Sequence, residues 1–332
     1  MNVVGALLRR IGEALVTLLV AGVLIWSLLL ITPGDPARRL LAANHIDDPT
    51  PEQLTVKRHQ LGLDQPAIER LGRWLSRAVR GDFGDSWASG RPVRDQLLQR
   101  LPATLLLTGV AMLFAVVVAV VAGVIAASFP RRWPDLLVRT GALIALCLPT
   151  FLVGTVLLDL VVVRWGHLQV ISDGTLHTVA LPAFTLAVAT IGSWVRILRA
   201  SLLEGRRAPF LDVAEARGVS ALRRMVRHAL PNALVPFLTA VGVGVAACIG
   251  GAPIVETIFT WPGIGRYAVQ AIDSRDVPVV QGFTLFAVLT YVVISTAVDV
   301  AATVLDPRVR ATASTRRTRT RLPRSMATEA GG

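Results

Sequence analysis

Charged side chains are scarce in this chain of 332 residues, of which 17% are charged and 53% are apolar. Soluble domains carry about a quarter charged residues. An α-helix needs about 20 apolar residues to cross the roughly 30 Å hydrocarbon core of a bilayer, and six stretches without Asp, Glu, Lys or Arg are long enough. We therefore predict an all-α, polytopic membrane protein with six transmembrane helices, which excludes the soluble and fibrous classes. The six stretches are residues 14–31, 101–129, 140–158, 175–195, 229–255 and 277–298.

Lysine and cysteine are almost absent. The single lysine, Lys57, follows Val56, so the chain lacks the Gly-Lys pair of a phosphate-binding P-loop. Cys147 and Cys248 lie in apolar stretches, where free cysteine packs as a small hydrophobe. No His is followed by Glu, and residues 84–88 approach the hydrolase pattern G-x-S-x-G but end in alanine. We therefore expect no enzyme activity, no catalytic residue and no metal site in this chain.

The net charge of +12 is carried by arginine, and its distribution is uneven. Short segments on one side of the predicted spans hold twenty arginines, whereas the short segments on the other side hold Arg164, Arg266 and Arg275 only. The positive-inside rule then puts both termini in the cytoplasm. Nucleic-acid binding is the other interpretation of a basic chain, but the arginines flank spans without interleaved aromatics, so we expect a lipid bilayer and no nucleic acid as partner.

Composition divides the chain into four parts. Residues 1–31 form a short cytoplasmic lead and the first transmembrane helix, and residues 32–100 form an extracytoplasmic segment rich in Pro, Gly, Asp and Arg. Residues 101–305 form a transmembrane core with a cytoplasmic loop at about 200–232. Residues 306–332 have the composition of a disordered cytoplasmic tail.

Small residues at every fourth position predict close helix packing in two of the spans, because they let helix backbones approach each other. They are Ala111, Ala115, Ala119, Gly123 and Ala127 in the second span, and Gly242, Ala246 and Gly250 in the fifth.

The loop before the fifth span predicts two short amphipathic helices. Apolar residues between 222 and 230 recur at the spacing of one helical face, and three arginines fall on the opposite face. Gly218 is expected to end one helix, and Ser220 to cap the next. Two interpretations stay open, an interfacial connector whose arginines face headgroups and a contact site for a partner. The apolar positions are Leu222, Met225, Val226, Ala229 and Leu230, and the basic ones are Arg223, Arg224 and Arg227.

The same loop carries a recognisable motif. Residues 212–214, Gly218 and residues 228–231 match the spacing of E-A-A-x3-G-x9-I-x-L-P, with Asp212, Val213 and His228 replacing Glu, Ala and Ile. This pattern resembles the EAA loop of permease subunits of bacterial ABC importers, and residues 228–232 resemble the peptide/nickel branch in particular.

Further motifs of that branch follow in order up to about residue 310, at 33–36, 61–66, 81–86, 100–105, 181–186, 255–265 and 305–310. The chain therefore resembles the dipeptide/oligopeptide permease subunit that carries a long external loop after its first span. Ser295 and Ala302 depart from the Asn and Tyr usual in the family, which leaves the cargo open.

The resemblance implies a type I ABC importer permease fold in the cytoplasmic membrane of a bacterium. It implies import of small peptides by alternating access, together with a second permease subunit (a heterodimer), two ABC ATPase subunits and an extracytoplasmic substrate-binding protein. ATP and Mg would be bound by the ATPase subunits, and no cofactor by this chain. Nickel chelates or other small solutes are alternative cargoes, and a membrane scaffold without transport is an alternative function.

The resemblance also implies two sites. The cytoplasmic loop would couple to the ATPases, with a bend at Gly218, polar contacts from Asp212 and an apolar seat from Leu222 and Met225. On the outer side, the loop around residue 262 would form a gate or contact the binding protein, and a plain tight turn is the alternative. The coupling residues are Asp212, Ala214, Gly218, Leu222, Met225, His228, Leu230 and Pro231, and the outer residues are Glu256, Trp261, Pro262, Gly263 and Gly265.

Overall fold

The computed structural model describes residues 3–31, 35–43, 46, 48–166, 172–205 and 216–305. Within these ranges the chain is mostly helical, and its one β pairing is an isolated bridge between Asp85 and Pro92. The predicted all-α fold is confirmed. The tail at 306–332 lies outside the described residues.

The described helices are numbered in chain order. Two π-helical turns extend them, Leu158–Arg164 after α7 and Met225–Ala229 between α9 and α10. The helices are α1 (Val3–Ile31), α2 (Pro36–Ala43), α3 (Pro51–Gln60), α4 (Ala67–Val79), α5 (Val93–Ser128), α6 (Trp133–Cys147), α7 (Thr150–Leu157), α8 (Ala180–Gly205), α9 (Ala221–Arg224), α10 (Leu230–Ile258), α11 (Ile264–Asp273) and α12 (Val277–Leu305).

All six predicted stretches coincide largely with helices. The described residues supply four straight helices that are long and apolar enough to span a membrane, in α5, α8, α10 and α12, and a fifth, bent one made of α6 and α7. In α1 the described apolar part, Gly12–Ser27, is shorter than a span. The second span begins earlier than expected, because α5 starts at Val93 within the segment assigned to the exterior.

The third predicted stretch is not one straight helix, contrary to the sequence prediction. α6 and α7 are bent by 100° at Leu148 and Pro149. Proline has no N–H for the helical ladder, and its ring pushes the preceding residue out of the helical region. Leu148 accordingly has extended dihedral angles (φ −77°, ψ 122°).

α8 lies at the centre of the bundle and packs against α5, α6, α7 and α10, while α1 packs on α12. The small-residue stripe predicted in α5 is buried. At Gly123 a Cβ would stand 3.1 Å from the Leu198 side chain, so this stripe forms the contact with α8. In the stripe predicted in α10, Gly242 is buried, Ala246 is half-buried and Gly250 is exposed, while the Trp194 indole packs on the neighbouring Gly244.

A buried ion pair joins the start of α6 to α8. Arg199 donates from Nε and Nη2 to Oδ1 and Oδ2 of Asp135, at 2.6 and 2.8 Å. The Arg131 backbone N–H donates to the same carboxylate at 2.9 Å. Bidentate pairs of this kind fix geometry as well as contributing energy, so the two helices are held at a defined separation at this end of the bundle.

The close approach of α6 and α8 depends on Gly192, where a Cβ would stand 2.6 Å from the Ala142 carbonyl oxygen. We expect Gly192→Ala to lower the thermal unfolding temperature of the detergent-solubilised protein, because the overpacking costs about 1–3 kcal/mol. Gly109→Ala is the matched control, since nothing lies within 4 Å of that position in α5. It should leave stability unchanged or slightly higher, given the better helix propensity of alanine. Equal losses in the two variants would contradict this packing.

Candidate functional site

The loop before α10 turns at Gly218. Its φ of 74° lies in the left-handed region, and nothing lies within 4 Å of the position a Cβ would take. The requirement for glycine is therefore conformational and not a matter of space. Two residues later the Ser220 carbonyl accepts a hydrogen bond from the Arg224 N–H at 2.9 Å, which opens α9. The predicted left-handed bend at Gly218 is confirmed.

α9 continues into α10 without a break. The π-helical turn Met225–Ala229 joins them, and the Leu230 N–H donates to the Met225 carbonyl. Pro231 follows in the first turn of α10, and since it has no N–H the ladder widens in front of it. The helical segments from Ala221 to Ile258 therefore follow one another without an intervening loop, with Pro236 and Pro253 inside α10.

Two residues of the predicted apolar face, both in the π-helical turn after α9, pack into the chain's own core. Met225 is 4% exposed and Ala229 is fully buried, whereas Arg223 and Arg227 are exposed. The interpretation that Met225 offers an apolar seat to a partner does not hold here, because that side chain is covered by the bundle. Leu230 packs against the same core.

The other predicted coupling residues are only partly visible. Asp212 and Ala214 lie outside the described residues. Leu222 and His228 belong to the described helical backbone, but their side chains are not described. Pro231 is exposed at the start of α10.

At the other end of α10 the carboxylate of Glu256 is completely buried. The Thr104 hydroxyl of α5 donates to its Oε1 at 2.6 Å, and the Arg266 N–H donates to its Oε2 at 2.9 Å. The Thr104 oxygen in turn accepts from the Ile264 N–H at 2.9 Å. Glu256 and Thr104 thus satisfy N–H groups in the first turn of α11, where a helix favours negative charge.

The residues around Glu256 leave no spare volume. A Cβ at Gly263 would overlap the Glu256 carboxylate, and one at Gly265 would stand 2.6 Å from the Pro253 Cα. Trp261 is buried, and its Nε1 donates to the Ala103 carbonyl at 2.9 Å. These residues form a tightly packed junction of α5, α10 and α11, and the gate, the binding-protein contact and the tight turn stay predictions for it.

Pro262 is the exposed member of the five predicted outer residues. The segment before α8 approaches it, since a Cβ at Gly174 would stand 2.8 Å from the Pro262 Cγ. Trp261 and Glu256 are buried, so of these three residues Pro262 alone is accessible from the surface.

A second anchor, missed at the sequence level, ties the external segment to the start of α12. The buried carboxylate of Asp276 accepts from the Ser86 hydroxyl at 2.6 Å and from the N–H groups of Trp87 and Ala88 at 3.0 and 3.1 Å. Ser86 and Asp276 are 190 residues apart, and Thr104 and Glu256 are 152 apart. Ser86 and Thr104 lie in the motifs at 81–86 and 100–105. No local pattern in the sequence indicated that they contact Asp276 and Glu256.

The pKa values of Asp173 and Tyr267 are shifted away from the physiological pH range. Hydrogen bonds from the Thr178 and Thr175 side chains lower the pKa of Asp173 to about 2. Burial raises the pKa of the Tyr267 hydroxyl, whose ring lies 4.4 Å below the Arg100 guanidinium. Asp173 stabilises the fold above the unfolded-state pKa of about 3.9, and this contribution is lost only as the pH falls toward 2. Both groups keep their protonation state through the physiological pH range.

Two protein-family models match the chain. The one described as binding-protein-dependent transport system inner membrane component matches residues 119–311, and the one described as the N-terminal part of such a membrane component matches residues 3–108. The chain is also 35% identical over 303 residues to the glutathione transport system permease protein GsiC of Escherichia coli (strain K12), which covers 91% of this chain and 98% of that protein. The protein of the same name from Shigella dysenteriae serotype 1 (strain Sd197) matches to the same extent.

Among solved structures, the chain is similar to one of the MetNI methionine ABC transporter in inward-facing conformations. The TM-score is 0.50 at 17% identity, over 63% of this chain and 96% of that one. At this identity the similarity concerns the fold alone.

The Thr104 hydroxyl is expected to stabilise the outer junction. Thr104→Val removes one of the hydrogen bonds of the buried Glu256 carboxylate, which keeps the one from the Arg266 N–H, and it removes the acceptor of the Ile264 N–H. We therefore expect a loss of about 1–3 kcal/mol in the free energy of unfolding. Thermal or denaturant unfolding in detergent measures it.

The matched control is Thr155→Val, since the exposed Thr155 hydroxyl bonds only to carbonyls of its own helix. It should be close to neutral, and Thr104→Ser, which keeps the hydroxyl, should recover most of the loss. A Thr104→Val protein as stable as the control variant would show that this hydroxyl does not secure the junction.

Proposed function

Because the chain belongs to the binding-protein-dependent transport system inner membrane component family and is a permease subunit of an ABC importer, we propose that it moves small peptides across the cytoplasmic membrane by alternating access. In this proposal ATP and Mg are bound by separate ATPase subunits, and the chain itself binds no cofactor. Both termini lie in the cytoplasm, as the arginine asymmetry indicates.

The observation that carries the coupling part of the proposal is the geometry at Gly218. The loop is exposed there and bends through a left-handed residue, and the rod that follows ends at the Glu256 junction. α10 has 29 residues, which corresponds to about 44 Å. An ATPase subunit that pushes on the loop would therefore move a rod that reaches the outer junction.

The contacts with the ATPase subunits are proposed for the exposed polar side of the loop. Gly218, Arg223 and Arg227 are exposed on it, and Asp212 belongs to the same motif. Met225 instead packs the turn between α9 and α10 against the core. A force that acts on the loop would then reach α10.

The proposed assembly contains a second, different permease subunit, two ATPase subunits and an extracytoplasmic substrate-binding protein. The family description names binding-protein dependence, which supports the last of these. On this chain the binding protein would meet the external segment and Pro262. The Ser86–Asp276 anchor would then link that contact to α12.

Small peptides are the proposed cargo. The relatives named above are glutathione transport permeases by name, and glutathione is itself a small peptide. That name favours peptides over nickel chelates, and similarity to transport permeases along 91% of the chain favours transport over a scaffold role.

Reconstitution tests the function directly. The chain is assembled in proteoliposomes with the second permease, both ATPases and the binding protein, and ATP-dependent uptake of labelled dipeptides, glutathione and a nickel chelate is measured. Accumulation of a peptide that requires ATP and the binding protein supports the proposal. Accumulation of the chelate alone contradicts the peptide cargo, and no ATP-dependent uptake of any solute contradicts the transport role.

Gly218→Val is expected to reduce peptide uptake about tenfold, because the left-handed conformation costs a residue with a β-carbon about 1–2 kcal/mol. ATP hydrolysis should become less dependent on cargo and binding protein. Gly218→Asn is the matched control, since asparagine tolerates this conformation better than other residues with a Cβ, and it should retain most of the uptake. Normal transport by Gly218→Val would refute the coupling role of the bend.

A further inference from the structure

A cavity of about 610 Å³ lies between α6 and α8, apart from the loop and the outer junction. Its lining combines cationic, hydroxyl and apolar side chains and includes Arg139, Arg196, Arg199, Ser193, Leu143 and Leu146. Cavities of this size hold small ligands or parts of larger ones.

The positive charge of this cavity is balanced only in part by the chain, through Asp135. The Asp135 carboxylate, which lies beside it, is occupied by its two hydrogen bonds from Arg199. Arg139 and Arg196 are exposed, and neither forms an ion pair within the part of the chain that the structure describes. Two guanidinium groups are therefore available to an anion.

The depth in the membrane of the arginines and leucines that line the cavity is inferred from the sequence. Arg139 directly precedes the charge-free stretch 140–158, and Arg196 directly follows the stretch 175–195. Leu143 lies about one helical turn further into the apolar stretch, and Leu146 about two. The cavity thus has a cationic mouth at the membrane boundary, and exposed leucines form its apolar wall at the depth of acyl chains.

We propose that this cleft binds an anionic phospholipid, with its phosphate between Arg139 and Arg196 and an acyl chain along Leu143 and Leu146. The proposal rests on the orientation given above, which puts the mouth at the cytoplasmic leaflet. Guanidinium groups match phosphate oxygens as bidentate donors, and basic pockets between transmembrane helices on this side are suited to anionic headgroups.

The Arg199–Asp135 pair gives the cleft a fixed width, so the lipid meets a preformed site. The lipid would bridge α6 and α8, and α8 leads directly into the loop that contains Gly218. Anionic lipid is therefore expected to stabilise the packing of α6 against α8, from which the loop extends.

The test uses the assembled importer purified in mild detergent and delipidated, to which phosphatidylglycerol or phosphatidylcholine is added. Native mass spectrometry counts the lipid that this subunit retains. The cleft variant is Arg139→Gln combined with Arg196→Gln. The control is Arg132→Gln, which removes one positive charge, against two in the cleft variant, so it is matched in charge to each single cleft variant. Arg132 is exposed directly before α6 and lies outside the cavity lining.

Wild type and the Arg132→Gln control should retain phosphatidylglycerol in preference to phosphatidylcholine, and the cleft variant should lose this preference by about tenfold. Equal retention by the cleft variant and the control overturns the proposal. If the cleft variant unfolds in phosphatidylcholine, the two single variants replace it, and each must show a partial loss.

Soluble anions provide the second arm of the experiment. If inorganic phosphate or a dipeptide raises the unfolding temperature through both arginines while phosphatidylglycerol does not, the ligand is a soluble anion and the lipid proposal is overturned. Lipid retention does not require turnover. A complex that retains phosphatidylglycerol but accumulates no peptide would therefore refute the proposed cargo and leave the lipid site intact.

Discussion

The buried carboxylate of Glu256 is the constraint on which the outer half of the bundle depends. A charge in such a place is tolerated only when hydrogen-bond donors surround it, and these come from Thr104 of α5 and the first turn of α11. Three helices must therefore meet at one point, and Gly263 and Gly265 leave room for their contact. Hydrogen bonds from the protein replace those that water would make to the carboxylate, and they hold the three helices together.

α10 connects this junction to the loop that contains Gly218. It begins beside the π-helical turn after α9 and ends at the Glu256 junction. Its early residues are fastened to the core next to Met225 and Ala229. In the proposed coupling, α10 would carry a displacement of the loop toward this junction. Gly218 supplies the left-handed turn before α9 begins.

The end of the bundle at which the start of α6 meets α8 differs from the Glu256 junction. There the Arg199–Asp135 pair holds α6 to α8, and two neighbouring arginines remain free to meet a ligand. The outer junction satisfies its own charge, whereas the α6/α8 cleft presents charge outward. That contrast is the reason we infer a ligand at the cleft and none at the junction.

Periodicity and charge sufficed to predict the helices, the small-residue stripe of α5 and the left-handed bend at Gly218, because these depend on neighbours within a few residues. Pro149 is visible in the sequence, and a proline inside a span breaks the hydrogen-bond ladder. The prediction of one span rested on the absence of charged residues and did not take this proline into account. Only the tertiary structure decided that Met225 faces the core, that Trp194 packs on Gly244, and that Thr104 and Asp276 anchor distant segments. The two hydrogen-bonded pairings join residues more than a hundred positions apart, and Trp194 and Gly244 are also distant in sequence. These contacts arise from packing in three dimensions that no local pattern encodes.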